Sequence, residues 1–311
     1  MGNIISMILI GLLYSIFAFD FVLCKLFLNY SPPFFGIGLR MLFAGIVIML
    51  FCFFRYPAKK LFNKTTWTEI LALGFFRAVI VNGLSIWGVQ YISATKACFV
   101  YNFSPFFAVF FGFLFLKEKI SPKSFLGIIV GFLGSIIILW PDSPGESGLA
   151  TLFFLSTAEL SQLLAGMGSA IGWTLMKKIV NRGGNFFAVN GASFIFGGIL
   201  SLIVSVFVGE WSGVLVGSWK FVIFYVVLIG ILDNVVGYNL FSFLLKKYSS
   251  TFIVFAGLAS PFLVGFFGLI FLGERIYSSF LISAVFVFAG LCLFYYYEVR
   301  PKIEESSNVG P

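Results

Sequence analysis

Two carboxylates and two guanidiniums sit inside stretches that are otherwise hydrocarbon. Asp20, Arg40, Arg77 and Asp233 are each flanked by long apolar runs. An ionised side chain in such surroundings is costly. Where it is kept, it pairs with an opposite charge, binds a ligand or carries a proton. Asp20 and Lys25 are five positions apart, about 140° around a helix, so they do not share a face. Asp20 then needs a partner on another segment: Arg40 or Arg77 in a structural ion pair, or a cationic ligand. Asp233 is accompanied by Asn234, Tyr238 and Asn239, a set that suits a substrate or a proton. Arg77 shares its stretch with Asn82 and Trp87. Its planar fork could grip a carboxylate with two parallel hydrogen bonds, or it could pair with Asp233 or Asp20. Arg40, Lys25 and Lys96 lie nearer the ends of their stretches, where a long basic side chain reaches the interface. Tyr101, Asn102 and Trp173 fall mid-stretch. They could stack on or orient a ligand, or hydrogen-bond between helices.

Other chemistry is excluded. The chain contains no His, which removes a Ser/His pair and an HExxH zinc site. Cys24, Cys52, Cys98 and Cys292 all lie in apolar stretches, without metal spacing or a disulfide framework. No catalytic residue, metal or cofactor is expected.

These side chains must be positioned by membrane helices. The 311 residues are 60% hydrophobic and 10% charged, and mean hydropathy is +1.06. A soluble domain carries about 25% charged residues, so this chain cannot cover itself in water. Ten spans are expected, at about 4–28, 34–54, 68–90, 94–116, 122–140, 159–180, 186–208, 219–241, 250–272 and 278–297. The pattern predicts an all-α membrane protein of ten transmembrane helices. Asn29–Pro33 and Asn181–Asn185 are turns between spans. A polar linker over 141–158 separates a first unit, 1–140, from a second, 159–300. The tail 301–311 is polar and expected to be disordered. The net charge of +8 does not point to nucleic acid, because the basic residues cluster between spans.

The two units are copies. Sliding Ser93–Gly134 by 156 positions onto Ser249–Gly290 needs no gap, and 15 of 42 residues are identical. Six identities are Phe in a Phe-rich chain; the other nine include Ser, Pro, Glu and two Gly at fixed offsets. With the N-terminus cytoplasmic, fourteen basic residues fall in inner connections and two, Lys220 and Arg275, in outer ones. That imbalance predicts cytoplasmic N- and C-termini. Each unit has five spans, an odd number, so the second enters the membrane upside down. Two inverted five-helix repeats let one central site face either side.

A paired proline-to-glutamate spacing carries a further signal. Pro105 and Pro261 sit midway along spans 4 and 9, and Glu118 and Glu274 follow thirteen residues later. Proline removes a helical hydrogen bond, which favours a kink beside a cavity over simple packing. The two glutamates could accept hydrogen bonds from the start of the next helix and hold a gate hinge. A solvated carboxylate at a first helical turn is the plainer alternative. Together with Lys25, Arg40 and Trp173, this spacing resembles the drug/metabolite transporter superfamily, in its EamA-like ten-span members. The resemblance implies alternating access, a cavity walled by the first four spans of each half, and fifth spans used in packing or dimerisation. It implies a small-molecule substrate, a lipid bilayer around a monomer or homodimer, and the cell inner membrane as location. An amino acid or related zwitterion suits Arg77 and the buried carboxylates best. S-adenosylmethionine or a nucleotide-type metabolite is the alternative within the superfamily. A membrane scaffold or channel is the alternative outside it, but no ring of like charge is seen.

Overall fold

The computed structural model describes residues 2–62, 64–117, 121–137, 156–213, 219–274 and 278–299. Among the described residues, ten helical segments make up the bundle. They are α1 (Gly2–Phe27), α2 (Pro33–Arg55), α3 (Trp67–Val89), α4 (Ala94–Leu116) and α5 (Pro122–Ile137) in the first half. The second half holds α6 (Thr157–Asn181), α7 (Phe186–Phe207), α8 (Trp219–Leu244), α9 (Ser250–Leu272) and α10 (Ser278–Phe294). Eight segments have the length and hydropathy to cross a bilayer. The other two are α5, which is shorter, and α6, which carries Glu159, Lys177 and Lys178 near its ends. The expected linker lies outside the described residues up to position 155, as does the tail 301–311.

Local sequence explains where helices begin and end. Thr66 with Glu69, and Ser156 with Glu159, form reciprocal capping boxes at the starts of α3 and α6. α4 and α9 stop at left-handed residues, Lys117 (φ 55°) and Gly273 (φ 65°), which the 156-residue offset superposes.

Packing follows the duplication. α2 packs on α7 and α5 on α10, while α1 lies against α9 and α6 against α4. Exchanging the halves maps α1–α9 onto α6–α4 and leaves α2–α7 and α5–α10 unchanged, as a pseudo-two-fold requires. The α2–α7 and α5–α10 faces are glycine-lined, because lipid offers helices no hydrophobic drive and close backbone contact must supply the attraction. At Gly290 an added Cβ would lie 2.5 Å from Gly131 N and 2.6 Å from Gly127 O, both backbone atoms. Gly290→Val is therefore expected to part α10 from α5 and to cost roughly 1–3 kcal/mol, the usual range for overpacking. An unchanged thermal unfolding midpoint in detergent would count against this contact. The outward faces stay apolar, with Phe54 83% and Phe207 86% exposed.

Four helices depart from α geometry at mid-length, in two related pairs. α3 is a π-helix over Phe76–Gly83, and α8 over Gly230–Gly237. α4 breaks at 102–103 before Pro105, and α9 tightens to a 3-10 turn over Gly257–Ala259 before Pro261. The freed Ile253 carbonyl accepts the Tyr14 hydroxyl from α1. Irregular backbone at membrane depth needs such internal partners.

Candidate functional site

Arg40 is the hub of the site. Position 40 faces the interior of the bundle, and the side chain is fully buried rather than reaching the interface as its place in the sequence suggested. Its guanidinium donates to Asp20 Oδ1 at 3.1 Å, contacts Cys24 Sγ at 3.5 Å, and donates to Asn82 Oδ1. Cys24 donates in turn to Asp20 at 3.4 Å. Of the two partners considered for Asp20, the structure selects Arg40. Asn82 Nδ2 donates to the Arg77 carbonyl at 2.8 Å, so the side chain that steadies Arg40 also satisfies the π-helix of α3.

Arg77 is buried in a box of rings. Its guanidinium lies 4.9 Å from the Tyr238 ring, 5.2 Å from Phe194 and 5.6 Å from Trp173. Nη1 donates to Ser193 Oγ at 2.8 Å, and Nη2 is buried with no partner among the described residues. Desolvated cation–π contacts of this kind are worth about 2 kcal/mol or more. Neither Asp20 nor Asp233 pairs directly with Arg77 among the described residues. Asp233 is buried at the start of the α8 π-turn and accepts from Asn234 Nδ2 at 3.0 Å. Arg77 and Asp233 stand 156 positions apart, the offset that registers the repeat. The two halves thus bring opposite charges from equivalent places on their π-helices, a backbone form that recurs at functional sites.

A cavity of about 80 Å³ lies between these groups. Asp20, Asn82, Tyr101, Trp173, Asp233 and Tyr238 line it, so six of the residues singled out from sequence meet at one place. Arg40, Arg77 and Asn234 stand behind its wall. A second cavity of about 50 Å³ lies at the two helix breaks, lined by Asn102 and Ser104 from α4 and Gly257 and Ser260 from α9. Pro105 and Pro261 are themselves buried; the serines before them face the space. Phe17, Phe21, Tyr101 and Trp173 line both cavities and separate them. Trp87 lies elsewhere, on a third cavity at the end of the bundle.

Glu274 holds a helix that sequence order did not point to. Its oxygens accept from Ala94 N at 2.8 Å, Thr95 N at 3.2 Å and Thr95 Oγ1 at 2.6 Å, at the start of α4 in the other half. Sequence order suggested the helix that follows Glu274, whose approach at 275–277 lies outside the described residues; the packing of α4, α1 and α9 brings the α4 N-terminus within reach. Lys25 stands 3.9 Å away and also donates to the Ile92 carbonyl at 2.6 Å. Glu118 lies outside the described residues.

Sequence reasoning missed several participants. Cys24 read only as a small packing residue. Phe17 and Phe21 were two among 44 Phe. Asn190 donates to Asn239 Oδ1 at 2.9 Å and Ser242 Oγ at 3.2 Å, and with Ser193 it ties α7 to α8 behind Arg77. A polar Asn-Gly-Ala-Ser run inside an apolar stretch was the available signal for that last group.

The fold and cavity define a class first: a polytopic helical membrane protein whose two inverted halves close around a polar centre. The chain belongs to the EamA-like transporter family, whose pattern matches residues 4–140 and again 156–296. It is a multi-pass membrane transporter of the drug/metabolite superfamily. It is 31% identical over 307 residues to a Chlamydia muridarum protein named S-adenosylmethionine/S-adenosylhomocysteine transporter, covering 97% of this chain and 95% of that one. A protein of the same name from Chlamydia trachomatis serovar L2 is 31% identical, with 95% and 90% covered. An uncharacterized transporter of Bacillus subtilis is 25% identical, with 97% and 94% covered. A solved crystal structure at 16% identity superposes with a TM-score of 0.67 over 93% of this chain and 94% of that one, a likeness of fold.

Proposed function

We propose that the chain exchanges S-adenosylmethionine for S-adenosylhomocysteine by alternating access. The observation that carries this reading is a cavity presenting two carboxylates, Asp20 and Asp233, among the rings of Phe17, Phe21, Tyr101, Trp173 and Tyr238. The carboxylates suit the amino and sulfonium cations of the substrate. The rings suit the flat adenine, and Arg77, behind the wall with an unpartnered Nη2, would reach the substrate carboxylate once the cavity widens. The similarity to two chlamydial transporters named for this pair supports it. An amino acid alone, the class ranked first on sequence, leaves the aromatic wall without a purpose. Phosphate-bearing nucleotide sugars fit less well, because two carboxylates line the cavity and their phosphates would want more basic residues than the described lining offers.

Ligand sites measure about 300 Å³ or more, so a space of about 80 Å³ belongs to a closed conformation. Loading requires the halves to part and the dividing rings to move aside. We place the protein in the cell inner membrane, with both termini cytoplasmic, on the distribution of its basic residues. Proteoliposomes loaded with S-adenosylhomocysteine provide the test. Uptake of labelled S-adenosylmethionine is expected to saturate and to accelerate with internal S-adenosylhomocysteine. Acceleration by internal neutral amino acids alone would restore the amino-acid reading. A conductance without counterflow would replace the carrier with a channel.

A further inference from the structure

The largest cavity described is not the central one. A space of about 460 Å³ opens at the end of the bundle that our orientation places outside. The whole α1–α2 turn, the last turn of α3 and the stretch after α7 enclose it, through residues that include Tyr30, Trp87, Gln90 and Glu210. Its volume falls within the range of small-molecule sites. Among the described residues, Glu210 is the one formally charged side chain that lines it. The carboxylate is held in place: Oε1 accepts from Phe34 N at 3.2 Å and Oε2 from Phe35 N at 2.8 Å, at the start of α2. No Lys or Arg pairs with it among the described residues. Burial pushes the Glu210 carboxyl above its ordinary value, despite the two backbone donors that pull it down. An arriving cation would offset that burial.

The aromatic faces fit the same ligand. Tyr30 stacks on Phe221 at 4.6 Å, which fixes its ring, and Trp87 packs against Tyr91 at 5.0 Å. Aromatic rings lining a space with a carboxylate suit a ligand cation such as a sulfonium or methylated ammonium, which the ring quadrupole attracts. Trp87 also sits within the turn of α3 whose Ser85, Ile86 and Val89 line the central cavity. The two spaces therefore share a wall one helix thick.

We propose that this outer vestibule is a cation-selective antechamber, in which Glu210, Trp87 and Tyr30 receive a sulfonium-bearing substrate before it passes to the central cavity. Resting on the exchange reading above, it assigns the vestibule a discriminating role. S-adenosylmethionine carries one more positive charge than S-adenosylhomocysteine. The outer face then favours the incoming methyl donor over the spent product, while the central site accepts both.

Outside-in uptake by intact cells tests this. Glu210→Gln keeps an oxygen for the backbone donors but removes the charge. Loss of one steering charge predicts roughly a fivefold rise in the outside KM for S-adenosylmethionine and a flattened salt dependence. Inhibition by external S-adenosylhomocysteine should change less than twofold. Parallel shifts for both compounds, or no shift for either, would overturn the antechamber. If the wild-type protein moves neither compound, the exchange reading fails separately. The vestibule is then read with trimethylsulfonium as a quencher of tryptophan fluorescence. Saturable, salt-sensitive quenching that Trp87→Phe and Glu210→Gln both abolish supports the site, and its absence in the wild type refutes it.

Discussion

Asp20→Ala is expected to lower the stability of the folded chain by about 3–5 kcal/mol, the usual cost of stripping one partner from a buried ion pair. Arg40 is fully buried, and Asp20 at 3.1 Å is its carboxylate partner. Without Asp20, the guanidinium keeps only Asn82 and Cys24 to balance a full charge in a low-dielectric interior. The side chain is enclosed on all sides and has no path to water. The double change Asp20→Ala with Arg40→Met removes both charges and is expected to recover most of the loss. Thermal unfolding of the purified variants in detergent measures this directly. If the single and double variants unfold together, the pair contributes no coupling, and Arg40 must be balanced in another way.

Asp233→Asn should behave in the opposite manner. Asparagine has nearly the same shape and still offers an oxygen to Asn234, so the unfolding midpoint should stay close to wild type. Exchange should collapse, because the cavity would lose one of its two negative charges. Removing a desolvated charge contact typically costs at least 2 kcal/mol, which corresponds to a fall of about 30-fold or more in counterflow. Arg77→Ala extends the same logic to the substrate carboxylate. It also empties the box formed by Tyr238, Phe194 and Trp173, so some stability should go with it. Normal counterflow in Asp233→Asn would remove that residue from the substrate path.

Much of this architecture could be read without coordinates. Ten apolar stretches of bilayer length, and a 42-residue echo at an offset of 156, were enough to fold the chain into two inverted halves. Apolar runs and proline breaks act locally, and a membrane leaves the backbone few alternatives to the helix. For the same reason, the charges buried in those runs could be recognised as important before any partner was known. Asp20, Asn82, Tyr101, Trp173, Asp233 and Tyr238 do converge on one cavity.

Tertiary packing alone decided who meets whom. That Asp20 takes Arg40 while Arg77 is left to aromatic rings depends on how α1, α2, α3, α7 and α8 rotate about their axes. Periodicity cannot set those rotations to the few ångströms that separate an ion pair from a cation–π contact. Glu274 capping α4 and Glu210 capping α2 join residues more than 170 positions apart, and nothing local to either end announces them. The π-helices of α3 and α8 shift the helical phase in the middle of their spans, which a 3.6-residue period does not anticipate. Composition and periodicity therefore determined the helices and their inversion. The partition of charges between pair, ring box and vestibule was settled by close packing, because it depends on distances that only the assembled bundle defines.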